Sequence, residues 1–146
     1  MYKVFFNQKP LILTNKIQLF SDDEPMLYIK YSTSKQIIKA LKSSKTKRVY
    51  LYHNDIDKLW KTFKKQFPVI KAAGGLVERV DKKFLFIFRN NKWDLPKGGV
   101  EKNELIIEAA QREVKEETGV RNLIVQNELP ETYHICLLYT SDAADE

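Results

Sequence analysis

Cysteine is almost missing from this 146-residue chain, and the single one, Cys136, excludes an internal disulfide framework. With only His53 and His134 to accompany it, there is no zinc-ligand cluster, and no histidine has a placed partner that would define a catalytic pair. Each histidine reads as a strand-end or surface residue. Long apolar runs are lacking too: nothing approaches the roughly 20 residues needed to span a bilayer. The opening stretch, MYKVFFNQKPLILTNK, is too interrupted for a secretory signal. Internal repeats and low-complexity segments are absent beyond a modest lysine enrichment. A single cytoplasmic protein of ordinary domain size, with no membrane partner, is the expectation.

Acidic residues are the minority, 19 against 25 Lys and Arg, for a net charge of +6. Such a surface raises encounter rates with phosphate-rich ligands and can hold nucleic acid weakly. The plainer reading is a lysine-rich solvated surface, so nucleic acid is the lesser expectation as a partner. At 43% hydrophobic and 30% charged, the composition is that of a folded chain.

The final eleven residues, CLLYTSDAADE, have a permitted back-translation that resembles a transposon adapter used in preparing sequencing libraries. Native sequence is therefore expected to stop near Ile135, with 136–146 a non-native tail and the fold incomplete at its C-terminal side. Without the three acids of that tail, residues 1–135 carry +9.

Along the chain, residues 1–67 read as a small α/β region of unassigned role. MYKVFFN and PLILTN form a hairpin turning at Gln8-Lys9, MLYIKY at 26–31 is a strand, and Ser34 caps a helix with Ile37, Ile38 and Leu41 on its apolar stripe. KSSKTKR at 42–48 is a basic loop and VYLYH at 49–53 a strand. From Asp55 a helix runs to about Gln66, with Ile56, Leu59, Trp60 and Phe63 at core spacing rather than as a base-stacking surface; Phe67-Pro68 ends it.

From Val69 the texture changes. VIKAAGGLVER is a strand with central glycines, and FLFIFR at 84–89 is apolar enough to be buried on both faces. RNNKWDLPKGGVEKNE is a loop, and Asn103 caps a helix from about Glu104 to Thr118 that Gly119 terminates. RNLIVQNEL and ETYHI follow as strands. On the helical wheel Ile106, Ala109 and Ala110 share an inward arc with Glu113, Glu116 and Glu117. Three carboxylates at i, i+3 and i+4 repel one another, and turning them inward adds a desolvation cost of roughly several kcal/mol each. A hard divalent cation relieves both, and carboxylates are ligands that Mg²⁺ prefers. Arg112 beside them is placed to orient a carboxylate. A solvated acidic helix end is the competing reading of the trio taken alone.

The preceding loop decides between them. Residues 98–120, GGVEKNELIIEAAQREVKEETGV, resemble the Nudix box, G-x5-E-x7-R-E-U-x-E-E-x-G-U with U aliphatic. Gly98, Glu104, Arg112, Glu113, Val114, Glu116, Glu117, Gly119 and Val120 fill all nine specified places. The resemblance covers residues 68–135 and implies an α+β Nudix fold, a mixed sheet sandwiched between helices. It implies a hydrolase that cleaves a diphosphate linkage in a nucleoside diphosphate derivative or related polyphosphorylated compound, by Mg²⁺-assisted attack of water on phosphorus, with Mn²⁺ as the other candidate ion. Metal ligands implied by position are Glu113, Glu116, Glu117 and the backbone carbonyls of Lys97 and Gly98. Catalytic roles fall to Glu113, Glu116, Arg112 and Glu104, the last two orienting the carboxylates, and Lys97, Gly98 and Gly99 fall at the substrate. The WDLPKGG stretch resembles branches acting on dinucleoside or diphosphoinositol polyphosphates, which puts polyphosphorylated nucleotides ahead of nucleotide-sugars and oxidised nucleoside triphosphates. Two departures are Lys102-Asn103 and Leu105, where the family commonly has Pro-Gly and a Ser or Thr cap. A non-catalytic nucleotide-sensing or RNA-associated module, or an inactive fragment, is the rival reading.

Overall fold

A computed structural model describes residues 1–136. In chain order its elements are β1 (Tyr2–Phe6), β2 (Lys9–Thr14), β3 (Met26–Tyr28) with a 3-10 turn at Ile29–Tyr31, α1 (Ser34–Lys42), β4 (Val49–Tyr52), α2 (Ile56–Gln66), β5 (Ala72–Gly74), β6 (Ile87–Arg89), β7 (Lys92–Asp94), β8 (Lys97–Gly99), α3 (Ile106–Thr118) and β9 (Tyr133–Ile135). The architecture is α+β, as expected, with a mixed sheet and three α-helices among the described residues. No helix among them is long and apolar enough to cross a membrane. The chain forms two units: Met1–Pro68 joined by residues from Leu129 onward, and Val69–Glu128.

The first unit is organised by β2, the central strand of a five-stranded sheet in the order β3-β4-β2-β1-β9. A central strand is covered on both sides, which is why Leu11, Ile12, Leu13 and Thr14 are all buried where an edge strand would alternate. Hairpin pairing with β1 is antiparallel, Val4 opposite Leu11, while β4 pairs with β2 in parallel, Leu11 opposite Val49. Helices α1 and α2 supply Ile37, Leu41, Leu59 and Phe63 to a core with Val4, Phe6, Leu13, Ile29, Val49 and Leu51. Each such side chain contributes roughly 1.5–3 kcal/mol by leaving water. Trp60 stacks on Tyr2 with centroids 4.2 Å apart and meets Tyr133 edge-on at 4.9 Å, so the α2 aromatics do pack against the core.

Local details shift from expectation for identifiable reasons. The hairpin turns at Asn7-Gln8, with Asn7 at φ 55, because Lys9 already pairs with Phe6. Thr33, not Ser34, caps α1: its hydroxyl accepts from the Gln36 amide while the Gln36 side chain accepts from the Thr33 amide. Asp55, read as the first residue of α2, is its cap, its carboxylate accepting from the Asp57 and Lys58 amides. The strand read over 26–31 gives way to the 3-10 turn after Tyr28. Residues 133–135, read as following the box in its own domain, pair in parallel with β1 instead. That open edge offers a ladder of backbone partners, and the Tyr133 ring fits beside Tyr2 and Trp60. His53 is buried at the end of β4, its Nδ1 accepting from the Asp55 amide at 2.8 Å, and His134 is exposed on β9. Cys136 is exposed, and the remainder of the tail read as foreign lies outside the described residues.

The second unit is spare. β5 pairs antiparallel with β8, and β6 with β7 through a two-residue turn whose Asn90 and Asn91 both have positive φ, the backbone such a hairpin needs. Two strands, β7 and β8, therefore lie in the stretch read as loop. The apolar run 84–89 is not buried on both faces: Phe84, Phe86 and Phe88 stand 50–61% exposed, since among the described residues β6 pairs with β7 alone. The strands read over 69–79 and 121–129 reduce to β5 and to non-strand chain respectively. What the unit does bury is Ala73, Pro96, Ala109 and Val114, where β5 and β8 meet α3.

Candidate active site

Helix α3 begins two residues later than its sequence suggests. Asn103 takes φ 62 inside a turn closed by the Glu104 amide donating to the Glu101 carbonyl, so it cannot act as the cap. The helix starts after Leu105, whose amide is taken by the Glu108 carboxylate. Its other end is as expected, with Gly119 at φ 76 and its amide donating to the Lys115 carbonyl. Of the predicted inward arc, Ala109 is buried but Ile106 is half exposed; Val114 takes its place in the core.

The turn at 101–104 leaves Glu104 facing Arg112, and Arg112 is the hub of the site. Its Nε and Nη2 donate to the two Glu104 oxygens at 2.7 and 2.9 Å, its Nη2 also to the Gly99 carbonyl at 2.9 Å, and its Nη1 to Glu113 at 2.7 Å and Glu116 at 3.2 Å. One planar fork thus ties a loop carbonyl to three carboxylates, a set of bonds a lysine cannot reproduce. Glu104 also accepts from the Glu101 amide. Arg112 and that amide hold its carboxyl down to a pKa of about 2, and the carboxylates in turn raise the guanidinium further above its ordinary value.

Gly98 lies against this network: a Cβ there would overlap the Glu113 carboxylate, so only glycine permits the approach. At Gly99 an added Cβ would meet open space, and this residue contributes its carbonyl instead. Glu117 is held separately, accepting from Arg89 at 2.7 Å and from the Lys97 amide at 3.0 Å. Asp94 accepts from the Lys97 ammonium at 3.0 Å and lies 3.7 Å from Arg89. Burial pushes the Asp94 carboxyl up, but Lys97, the Leu95 amide and Arg89 outweigh it and leave it below the usual carboxylate range.

The sequence-derived residues therefore come together in two linked clusters: Gly99, Glu104, Arg112, Glu113 and Glu116 in one, Lys97 and Glu117 in the other. Glu113 and Glu117 are shielded, with side chains 13% and 21% exposed, while Glu116 is 58% exposed. The donor set, three carboxylates within one helical turn beside a side-chain-free loop, has the chemistry a hard divalent cation requires. In their present rotamers the carboxylates turn to Arg112 and Arg89, and no three His, Cys, Asp or Glu among the described residues converge as a ready metal cluster.

Arg89 and Asp94 were not singled out from sequence. Their signal is only the positive-φ Asn90-Asn91 turn between them, which folds them onto paired strands. Lys115 and Arg121 were also missed; with Arg112, Glu116 and Gly119 they line an open cleft of about 350 Å³ on the exposed side of Glu116.

With this geometry in hand, comparison with known proteins becomes specific. The family model of the NUDIX domain matches residues 68–143. Curated proteins named RNA pyrophosphohydrolase are similar over shorter stretches. The one from Bartonella henselae is 41% identical over 44 residues, 30% of this chain and 25% of that protein. That from Bartonella tribocorum is 46% identical over 37 residues, 25% of this chain and 21% of its own. That from Rhizobium meliloti is 43% identical over 42 residues, 29% and 25%. The matches span about a quarter of these relatives' length or less. No solved structure matches.

Proposed function

Because the chain belongs to the Nudix family, whose model covers half of it, we propose that it is a pyrophosphohydrolase cleaving a diphosphate linkage in a nucleotide or a related polyphosphorylated compound. The observation that carries this reading is Arg112, bound at once to Glu104, Glu113, Glu116 and the Gly99 carbonyl. Such a hub costs conformational freedom and gathers like charges, and it has little use in a site that does no chemistry.

Glu113, Glu116 and Glu117, with the backbone carbonyls of Lys97 and Gly98, would hold a divalent cation, Mg²⁺ or Mn²⁺. When bound it supplies charge neutralisation at the phosphoryl oxygens and acidifies water. The chain's own groups then have distinct tasks. Arg112 orients the carboxylates, and Glu104 keeps Arg112 from swinging away. The Lys97 ammonium offsets phosphate charge, the absent side chain at Gly98 leaves room for the Glu113 carboxylate, and the Gly99 carbonyl steadies Arg112 beside the substrate. Glu113 or Glu116 accepts a proton from the attacking water as its oxygen bonds to phosphorus and the bridging P–O bond breaks, releasing two phosphorylated products. The relatives' name, RNA pyrophosphohydrolase, brings RNA carrying a diphosphate linkage into the proposed substrate class, and a cytoplasmic setting is part of the same proposal.

The test is hydrolysis of a panel of dinucleoside polyphosphates, nucleotide-sugars, nucleoside triphosphates and a 5′-triphosphorylated oligoribonucleotide, titrated with Mg²⁺ and Mn²⁺. Metal-dependent release of phosphorylated products, abolished by chelator and by Glu116→Gln, is the expected result. Turnover indifferent to chelator, or no turnover of any compound, overturns the reading.

A further inference from the structure

The first unit holds a groove that the diphosphate chemistry does not use. It has a volume of about 670 Å³ and is lined by Phe6, Asn7, Gln8, Lys9, Leu41, Lys42, Thr46 and Lys47. Three of these are cations, three more carry neutral hydrogen-bonding side chains, and none is acidic. The two segments forming it are tied together: the Lys9 ammonium donates to the Ser43 carbonyl at 2.7 Å, joining the β1–β2 turn to the loop after α1. That loop is itself closed, its Thr46 buried and the Thr46 amide donating to the Ser43 carbonyl. The groove is thus built into the fold rather than formed by side chains drifting together. Lys42 makes no ion pair among the described residues, and Lys47 pairs only at the exposed rim with Asp23. Lys45 extends the cationic stretch along the same loop, while Arg48 is paired with Glu24 at 3.3 Å.

The surrounding charge points the same way. Residues 1–68 carry 14 basic and 5 acidic residues, a net +9, whereas residues 69–135 carry 11 of each. The excess over residues 1–135 thus lies in the stretch that holds the groove. Of the 14, all but Arg48 are lysines. Lysine is a point charge suited to following a phosphate chain, without the planar bidentate fork by which arginine fixes one orientation of its partner. A small anion would be gripped by two or three converging donors; an open groove of about 670 Å³ lined by Lys9, Lys42 and Lys47 suits an extended polyanion.

We propose that the groove between the β1–β2 turn and the 42–48 loop binds the phosphodiester backbone of single-stranded nucleic acid without sequence preference. The inference stands apart from hydrolysis and does not depend on it. The test is fluorescence anisotropy of the full chain with labelled twelve-residue oligouridylate and oligoadenylate, across a salt series. Both strands bind with affinities within about threefold of each other. The variant Lys9→Gln/Lys42→Gln/Lys47→Gln weakens binding at least about tenfold and flattens the log–log salt slope by about 2, at roughly 0.7 per lost phosphate contact on a single strand. Because Lys9 also braces the loop, Lys42→Glu, which breaks no recorded bond, serves as a second variant and weakens binding about threefold or more. Glu116→Gln binds as the parent does. Parental affinity and slope in both lysine variants, equal displacement by inorganic tripolyphosphate at matched charge, or loss of binding in Glu116→Gln overturns the proposal.

Discussion

The two units of this chain solve opposite problems. The first buries eleven side chains in one cluster among the described residues and carries most of the net positive charge. The second is electrically balanced, buries little beyond Ala73, Pro96, Ala109 and Val114, and concentrates its order in polar bonds around Arg112 and Glu117. Order is thus held in two different currencies. An apolar core is cooperative and insensitive to the identity of any one polar group, while a polar hub depends on each member making its bond. The proposed chemistry falls to the second because catalysis requires groups that a well-packed core would exclude.

The comparison is most exposed to a pair of core deletions. Leu51→Ala, in a fully buried position among β2, β4 and both helices of the first unit, should cost about 2–5 kcal/mol in denaturant unfolding. Val114→Ala, also buried but in a unit with few apolar neighbours, should cost distinctly less, about 1–2 kcal/mol for the two methyls removed. Equal losses would mean the second unit is better packed than its exposed Phe84, Phe86 and Phe88 indicate.

Next in size is Arg112→Lys. A lysine keeps the charge but can serve at most one or two of the partners now bridged, leaving Glu113 and Glu116 to repel each other. Hydrolysis should fall about 10²–10³-fold, the scale of losing one preorganised electrostatic partner. The unfolding midpoint of the first unit should not move. A variant retaining most of its turnover would show that the hub is structural only.

Gly98→Ala sharpens the same point at a backbone position. The new Cβ overlaps the Glu113 carboxylate, so that side chain must leave Arg112 or the loop must shift. Activity should drop about tenfold or more, since a displacement of the order of 1 Å at a reacting site can cost up to about 100-fold. Gly99→Ala, with open space around its Cβ, should be nearly silent in steady-state assays. Comparable losses at both positions would refute the close-approach argument.

What was legible in the sequence follows from range. Helical spacing put Arg112 beside Glu113 and Glu116, whereas the tie from Glu104 to Arg112 was implied only by the family resemblance and the Gly99 carbonyl as its acceptor was not foreseen. Helix α2 and its apolar stripe were legible because both depend on local periodicity. Arg89 and Asp94 escaped because the bond from Arg89 to Glu117 and its approach to Asp94 depend on a hairpin pairing that leaves no periodic trace. The run 84–89 misled because apolar composition reports a preference for burial, not the presence of a covering layer. β9 was placed with the box by sequence order, while its partner strand lies at the other end of the chain.

The smallest expected effect concerns acid. Glu104 has its carboxyl lowered from 4.5 to about 2 by Arg112 and the Glu101 amide. A folded-state pKa below the unfolded one means the native state prefers the carboxylate. The stabilisation is therefore fully present above about pH 4.5 and is lost as pH falls toward 2. Glu104→Gln abolishes that titration, so the stability gap between parent and variant, measured by chemical denaturation in chelator, should be constant near neutrality and close progressively below pH 4.5. With the Glu104 side chain 13% exposed and that of Arg112 24%, high salt should shrink the gap only modestly. A gap independent of pH down to 2 would mean that Glu104 holds Arg112 by shape alone, and the polar hub would then resemble the first unit's core more than the contrast drawn here allows.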